Sequence, residues 1–177
     1  MTGTNNTILE PKGSDFVIQR LQNRLFKDLD WEDIQMFGRA SKIPYPEEKT
    51  RFSPQVCKSN GEYIDPLLSD SNNGNVFFVL GDRATTTEGF LYKIECKIIF
   101  MLNLKKVYST YVGRADEKAH EDVVSVLKGQ QNIAITSIGT GLKECLGEFD
   151  TENIKFTDVH PNHIFCITGQ LSYSVTC

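Results

Sequence analysis

Apolar residues recur at helical spacing in the stretch "SDFVIQRLQNRLFKDLDW", which begins at Ser14. Ile18, Leu21, Leu25 and Leu29 form a stripe, and Arg20, Asn23, Arg24 and Lys27 fill the opposite side. The pattern predicts an amphipathic helix of about four turns with Ser14 as its cap. A second helix is predicted over "ADEKAHEDVVSVLKG". Ala119, Val123, Val126 and Leu127 make its stripe. Asp116 and Glu117 suit its positive N-terminus, and Lys128 and Gly129 suit its end.

Strands are predicted where the period falls to two. "VFFVL", 76–80, is a short apolar strand, and "GDRATTTEG", 81–89, is a loop with glycine at both ends. "FLYKIECKIIFMLNL" then alternates. Tyr92, Ile94, Cys96, Ile98, Phe100 and Leu102 share one face. Lys93, Glu95 and Lys97 share the other, until Ile99 and Met101 make both faces apolar. It pairs with 76–80 as a hairpin, with its tip at about 81–90. "NIAITSIG" is a third strand, and "TGLKECLGEFDTENIKFTD" is a loop with one helical turn. The last strand, "HIFCITGQLSYSV", places Phe165, Ile167, Leu171, Tyr173 and Val175 on one face. Gly169 in its middle signals a bulge or a close backbone approach.

Two segments lack a period. Residues 1–13 are polar, carry Pro11 and Gly13, and read as a flexible arm. In "FGRASKIPYPEEKTRFSP", 37–54, three prolines argue against a helix or a central strand. The segment at about 38–56 therefore reads as an extended arm. Ile43, Tyr45 and Phe52 on it would gain from burial against a neighbouring subunit. The order helix, strand, strand, helix, strand, strand predicts an α+β domain over 14–177. It would have one mostly antiparallel sheet with two helices packed on one face.

Composition narrows function by exclusion. The chain has 177 residues, a net charge of −4 and 24% charged residues. Lys and Arg are dispersed, so the chain has no clustered cations to grip nucleic acid. The longest apolar run, 98–104, is too short to span a bilayer. The N-terminal stretch lacks the basic and apolar regions of a signal peptide. Five cysteines, with no CxxC pair, read as reduced thiols. Cys96 and Cys166 lie within strands as small core residues.

Candidate chemistry concentrates in "DVHPNHIF". Asp158, His160 and His163, with His120 from the second helix, are the candidate metal set of a small hydrolase or binding domain. A metal site needs three or four convergent ligands, and Pro161 interrupts the path between the two histidines. The preferred reading is a hydrogen-bonded strand entrance with structural histidines, and the metal site is the alternative. No GxSxG occurs. "GTGLKE" lacks the spacing of a phosphate loop, and "DEKAHED" reads as a solvated helix face.

The strings "WEDIQMFGRASKIP", "EYIDPLLSD", "KIIFMLNL", "RADEKAHEDV" and "DVHPNHIF" resemble neck and tail proteins of tailed bacteriophages, including the crAss-like group. The order of elements over 14–175 is similar to the tail-terminator and tail-completion fold. The resemblance implies a non-enzymatic virion protein, without cofactor, assembled in the host cytoplasm. It would form a homo-oligomeric ring between portal, neck or tail proteins, through which double-stranded DNA passes. It transfers no catalytic residue. The expected subunit contacts are Arg39, Ile43, Tyr45 and Phe52 on the arm, and Asp82 and Arg83 on the hairpin tip. A capsid decoration or host-binding protein is a further possibility within the same virion class.

Overall fold

The computed structural model describes residues 3–69, 71–86 and 89–175. The elements in chain order are β1 (Thr4–Asn6), α1 (Ser14–Asp28), β2 (Ile34–Pro44), β3 (Phe52–Cys57), β4 (Tyr63–Ile64) and β5 (Gly74–Thr86). They continue with β6 (Leu91–Asn103), α2 (Leu104–Val107), α3 (Ala115–Leu127), β7 (Ile133–Thr140), α4 (Leu142–Leu146) and β8 (Asn162–Ser174). The strands form one eight-stranded sheet in the order β4-β3-β2-β5-β6-β8-β7, with β1 also pairing to β2. Among the described residues, only β1 with β2 and β2 with β5 run parallel. The fold is thus α+β with a mostly antiparallel sheet. Among the described residues, no helix is long and apolar enough to cross a membrane.

The alternation in β6 has a direct physical reading. Ile94, Cys96, Ile98, Phe100 and Leu102 enter one apolar cluster with Phe165, Ile167 and Leu171 of β8. That cluster also takes Val17, Ile18, Leu21 and Leu25 of α1, and Ala119, Val123 and Leu127 of α3. Ile99 and Met101 enter a second cluster with Phe77, Val79, Ile164 and Cys166. Cys145 and Leu146 of α4, with Phe149 and Ile154 after it, join that cluster, as do Phe37 and Ala40 of β2 and Val56 of β3. The sheet centre is therefore apolar on both faces, which is why the polar alternation stops after Lys97.

The segment 38–56 is not an arm. It is the β2–β3 hairpin, and β2 lies between β5 and the β1 and β3 strands. One extra residue on β2 shifts its register against β5 between Met36 and Arg39, which breaks the strand period. Each proline sits where no ladder donor is needed. Pro44 ends β2, Pro46 lies in the turn, and Pro54 pairs with Lys42. β4 reaches β3 only at Val56 and Cys57, so the outer side of Pro54 is open. Ile43, Tyr45 and Phe52 are half-buried within their own chain. Phe52 packs on the second cluster, and its carbonyl accepts from Asp150 N at 2.9 Å. Arg51 pairs with Asp150 at 2.5 Å and Glu152 at 3.0 Å, and Lys42 pairs with Glu148 at 3.2 Å.

Residues 4–8 are likewise held, so the predicted flexible arm is corrected there, while Leu9, Glu10 and Lys12 are exposed; Met1 and Thr2 lie outside the described residues. Thr4, Asn5 and Asn6 pair with Gln35, Met36 and Phe37. Gln19 Oε1 accepts from Ile8 N at 2.9 Å. Polar composition hid this because side-chain amides, rather than apolar contacts, fasten the segment.

The loop predicted at 81–89 is also mostly strand. β5 continues to Thr86, with a register shift between Leu80 and Ala84 that destroys the alternation. Thr87 and Glu88 of the predicted tip are outside the described residues, as is Cys177. Gly169 meets its expectation. A Cβ there would lie 2.8 Å from Ala134 O, beside a register shift in β7 between Ile135 and Ser137.

Candidate functional site

The "DVHPNHIF" segment crosses from the loop before β8 into β8 itself. Asp158 Oδ1 accepts from Ile164 N at 3.0 Å and lies 3.3 Å from His163 Nδ1. His163 points from β8 toward α3, where His120 occupies the turn after Ala119. The two Nε2 atoms are 3.2 Å apart. One tautomer satisfies the row: His163 Nδ1–H donates to Asp158, and His163 Nε2 accepts from His120 Nε2–H. Both rings pack on Phe165, with centroids 4.5 Å (His120) and 5.6 Å (His163) away.

Electrostatics agree with a neutral His120. Burial, followed by the neighbouring His163, pushes the His120 pKa below its ordinary value. Glu117 and Asp116 oppose this. Arg114 sits beside Asp116 at 2.7 Å and holds that carboxyl down at about 2.

The alternative metal set does not assemble. His160 is exposed, and its peptide bond to Pro161 is cis. Asp158, His163 and His120 form a row of hydrogen bonds, in which each nitrogen or oxygen between neighbours is occupied by the next group. Among the described residues, no group of three or more His, Cys, Asp or Glu side chains is arranged to hold a metal ion. The row instead ties α3 to the start of β8, the hydrogen-bonded strand entrance expected there, with Asp158 and His163 in it and His160 outside it.

Three of the four cysteines among the described residues are closed to solvent. Cys96, Cys145 and Cys166 are 0%, 2% and 0% exposed. Burial pushes Cys96 up to about 12. A hydrogen bond to Cys166 and burial raise Cys145. Cys57 is half-buried on β3.

The expected contact residues separate. Arg39 pairs with Asp15 at 3.2 Å across α1 and β2. Phe52 packs on the second cluster, Ile43 pairs with Ser53 in the hairpin ladder, and Tyr45 N donates to Arg51 O at 3.0 Å. Asp82 and Arg83 remain exposed on the distal half of β5, although Asp82 also takes Lys42 at 2.9 Å. Nearby, Phe90 is 61% exposed, Val175 is 53% exposed, and Val175 N donates to Phe90 O at 3.4 Å. Tyr92 stacks on Tyr173 at 5.7 Å just inside them. Sequence reasoning missed Phe90 and Val175 because it assigned them to a strand end and a core face.

Sequence reasoning also missed Gln22. It lies four residues after Ile18 and beside Leu21, within the apolar stripe of α1, and it is buried. A polar residue in that register was the available signal.

No protein-family model matches the chain, and no curated protein is significantly similar to it.

Proposed function

We propose that this protein is a structural, ring-forming component of a phage neck or tail, of the tail-terminator or tail-completion kind. In this reading the two longer helices, α1 and α3, cover one sheet face. The ring would join connector to tail in the virion and let double-stranded DNA pass without gripping it. The observation that carries the reading is the distal β5–β6 hairpin. Beyond the Ala84–Ile94 pair it presents Thr85, Thr86, Lys93 and Phe90 to solvent, with Asp82 and Arg83 at its base. Strands that gain so little burial in their own chain suit contact with a neighbouring subunit. The net charge of −4 fits a channel wall better than a clamp on DNA.

Class averages of the purified protein, by negative-stain microscopy, test this reading. Rings are expected for the native chain. Replacing Arg83 by Glu and Phe90 by Ser should leave a folded protein without rings. Rings that survive both replacements would remove the hairpin from the interface. A monomer at every concentration, alone and in particles, would remove the reading itself.

A further inference from the structure

The two ends of the sheet are finished differently. At one end β4 is two residues long and β3 carries Pro54, so that edge offers little to a further strand. At the other end β7, Ile133–Thr140, pairs only with β8 among the described residues. Its sequence, IAITSIGT, holds no proline and no charge. Ala134, Thr136, Ser137, Ile138 and Thr140 are exposed. Hydrogen-bonding direction alternates along an antiparallel strand, so one bond fixes its neighbours. Ser172 N donates to Asn132 O at 2.8 Å, so Ile133 and Ile135 turn their backbone N–H and C=O away from β8. Beyond the register shift, Gly141 N donates to Ile164 O at 3.1 Å, which turns those of Ile138 and Thr140 away as well. The outer side of β7 is thus an open, unguarded edge.

A second open edge belongs to the same sheet. β2 pairs with β5 as far as Phe78 and then leaves it, with Lys42 reaching back to Asp82 at 2.9 Å. Val175 N donates to Phe90 O at 3.4 Å across β6 and β8. By alternation, Lys93, Glu95 and Lys97 of β6 face β5, where Lys93 meets Thr85 and Lys97 meets Val79. Leu80, Ala84 and Thr86 therefore turn their backbone groups outward, beyond the reach of β2 pairing.

The two edges match in direction and in height. The pairings β5–β6, β6–β8 and β8–β7 are all antiparallel, so β7 runs opposite to β5. One row of the sheet crosses Ala84, Ile94, Leu171 and Ile133. Another crosses Leu80, Cys96, Gly169 and Ile135. In both rows the residue at each end faces outward. A copy turned about an axis along the strands thus brings its β5 edge level with β7, antiparallel and in phase. A level head-to-tail contact closes into a ring, whereas a staggered one climbs as a helix.

We propose that β7 receives the distal β5 edge of a second copy, head to tail, so that the sheet runs on from one copy to the next. Backbone hydrogen bonds join the copies, as in strand addition generally. A β7–β7 two-fold would leave the β5 edge open, and a β5–β5 two-fold would leave β7 open. The proposal rests on the ring reading and names the surface that takes the hairpin.

Amide hydrogen exchange of the full native chain, dilute and assembled, tests the contact. Assembly should slow the amides of Ile133, Ile135, Leu80 and Ala84 together, by about tenfold or more. Two proline variants test its head-to-tail character by sedimentation. Ala84→Pro and Ile135→Pro each remove one outward N–H and spare the ladder within the chain. Each alone should sediment as a monomer. Mixed, they should form a dimer, because each keeps the edge that the other lacks. A dimer of either variant alone indicates a two-fold contact and overturns the proposal. Should a variant unfold, the exchange pattern of the native chain decides. Assembly that leaves the four amides fast overturns the proposal and keeps the ring reading. Open filaments with the four amides slowed keep the proposal and remove the ring reading. A native chain that stays monomeric removes both.

Discussion

His120 Nε2 and His163 Nε2 stand 3.2 Å apart, one on α3 and one on β8, and a single shared proton joins them. A further proton would bring two N–H groups face to face. The His120 pKa is lowered in the fold, so the unfolded chain binds protons first as the pH falls. Stability is therefore complete above the ordinary histidine value of about 6.5 and declines as the pH drops below it. Asp158, Asp116 and Glu117 face the pair and limit the decline. Denaturation midpoints across this range should fall on acidification in the native chain and stay flatter in His120→Gln. Parallel profiles for the two proteins would refute the coupling.

Asp116 adds a second, lower window. Its pKa is depressed to about 2, so its contribution is present above the ordinary carboxylate value and lost as the pH falls toward 2. Arg114→Gln should move this loss to higher pH. A chemical-shift titration of Asp116 that is unchanged in the variant would contradict the assignment.

Phe100 and Phe165 stack at 4.7 Å in the middle of the sheet, and both are fully buried. Phe100→Ala should cost about 3–5 kcal/mol and Leu25→Ala about 2–5 kcal/mol, as for large-to-small changes in packed cores. Urea unfolding measures both. An unaltered midpoint in either would mean that the residue is not in the core.

Gly169 leaves no room for a side chain. Its Cβ would meet Ala134 O at 2.8 Å, and both atoms belong to paired backbones. Gly169→Ala should cost about 1–3 kcal/mol, the range of overpacking. Hydrogen exchange should show the loss first in β7. Uniform protection in the variant would argue against the contact.

Replacing 41–53 by a short Gly/Ser bridge removes most of the β2–β3 ladder and the Arg51–Asp150 pair. The product is expected to lose its cooperative thermal transition. A folded protein with an unchanged midpoint would restore the view of this segment as a dispensable arm.

These cases mark what the sequence could reveal. The stripe of α1, the stripe of α3 and the alternation of β6 were legible because each follows one period against one apolar cluster. β2 and the distal half of β5 were not, since register shifts at Met36–Arg39 and Leu80–Ala84 interrupt the alternation. Prolines on β2 and β3 compounded the error, because their tolerance depends on which side of the strand is unpaired. The histidine row was half legible. Asp158 and His163 are near neighbours in the chain, but His120 joins them only through the packing of α3 against the sheet. Gln22 carried a signal in its register.

The position of β8 has a consequence for synthesis. Asn162–Ser174 is the last strand, yet it lies inside the sheet, between β6 and β7. A growing chain emerges N-terminus first, so β6 and β7 are made before the strand that separates them. Until β8 arrives, the apolar residues of β6 that face both clusters lack their neighbours, and β6 exposes an unpaired edge. Completion of the domain waits for its final segment, and chains truncated before residue 162 should be retained by chaperones or degraded rather than accumulate as folded protein.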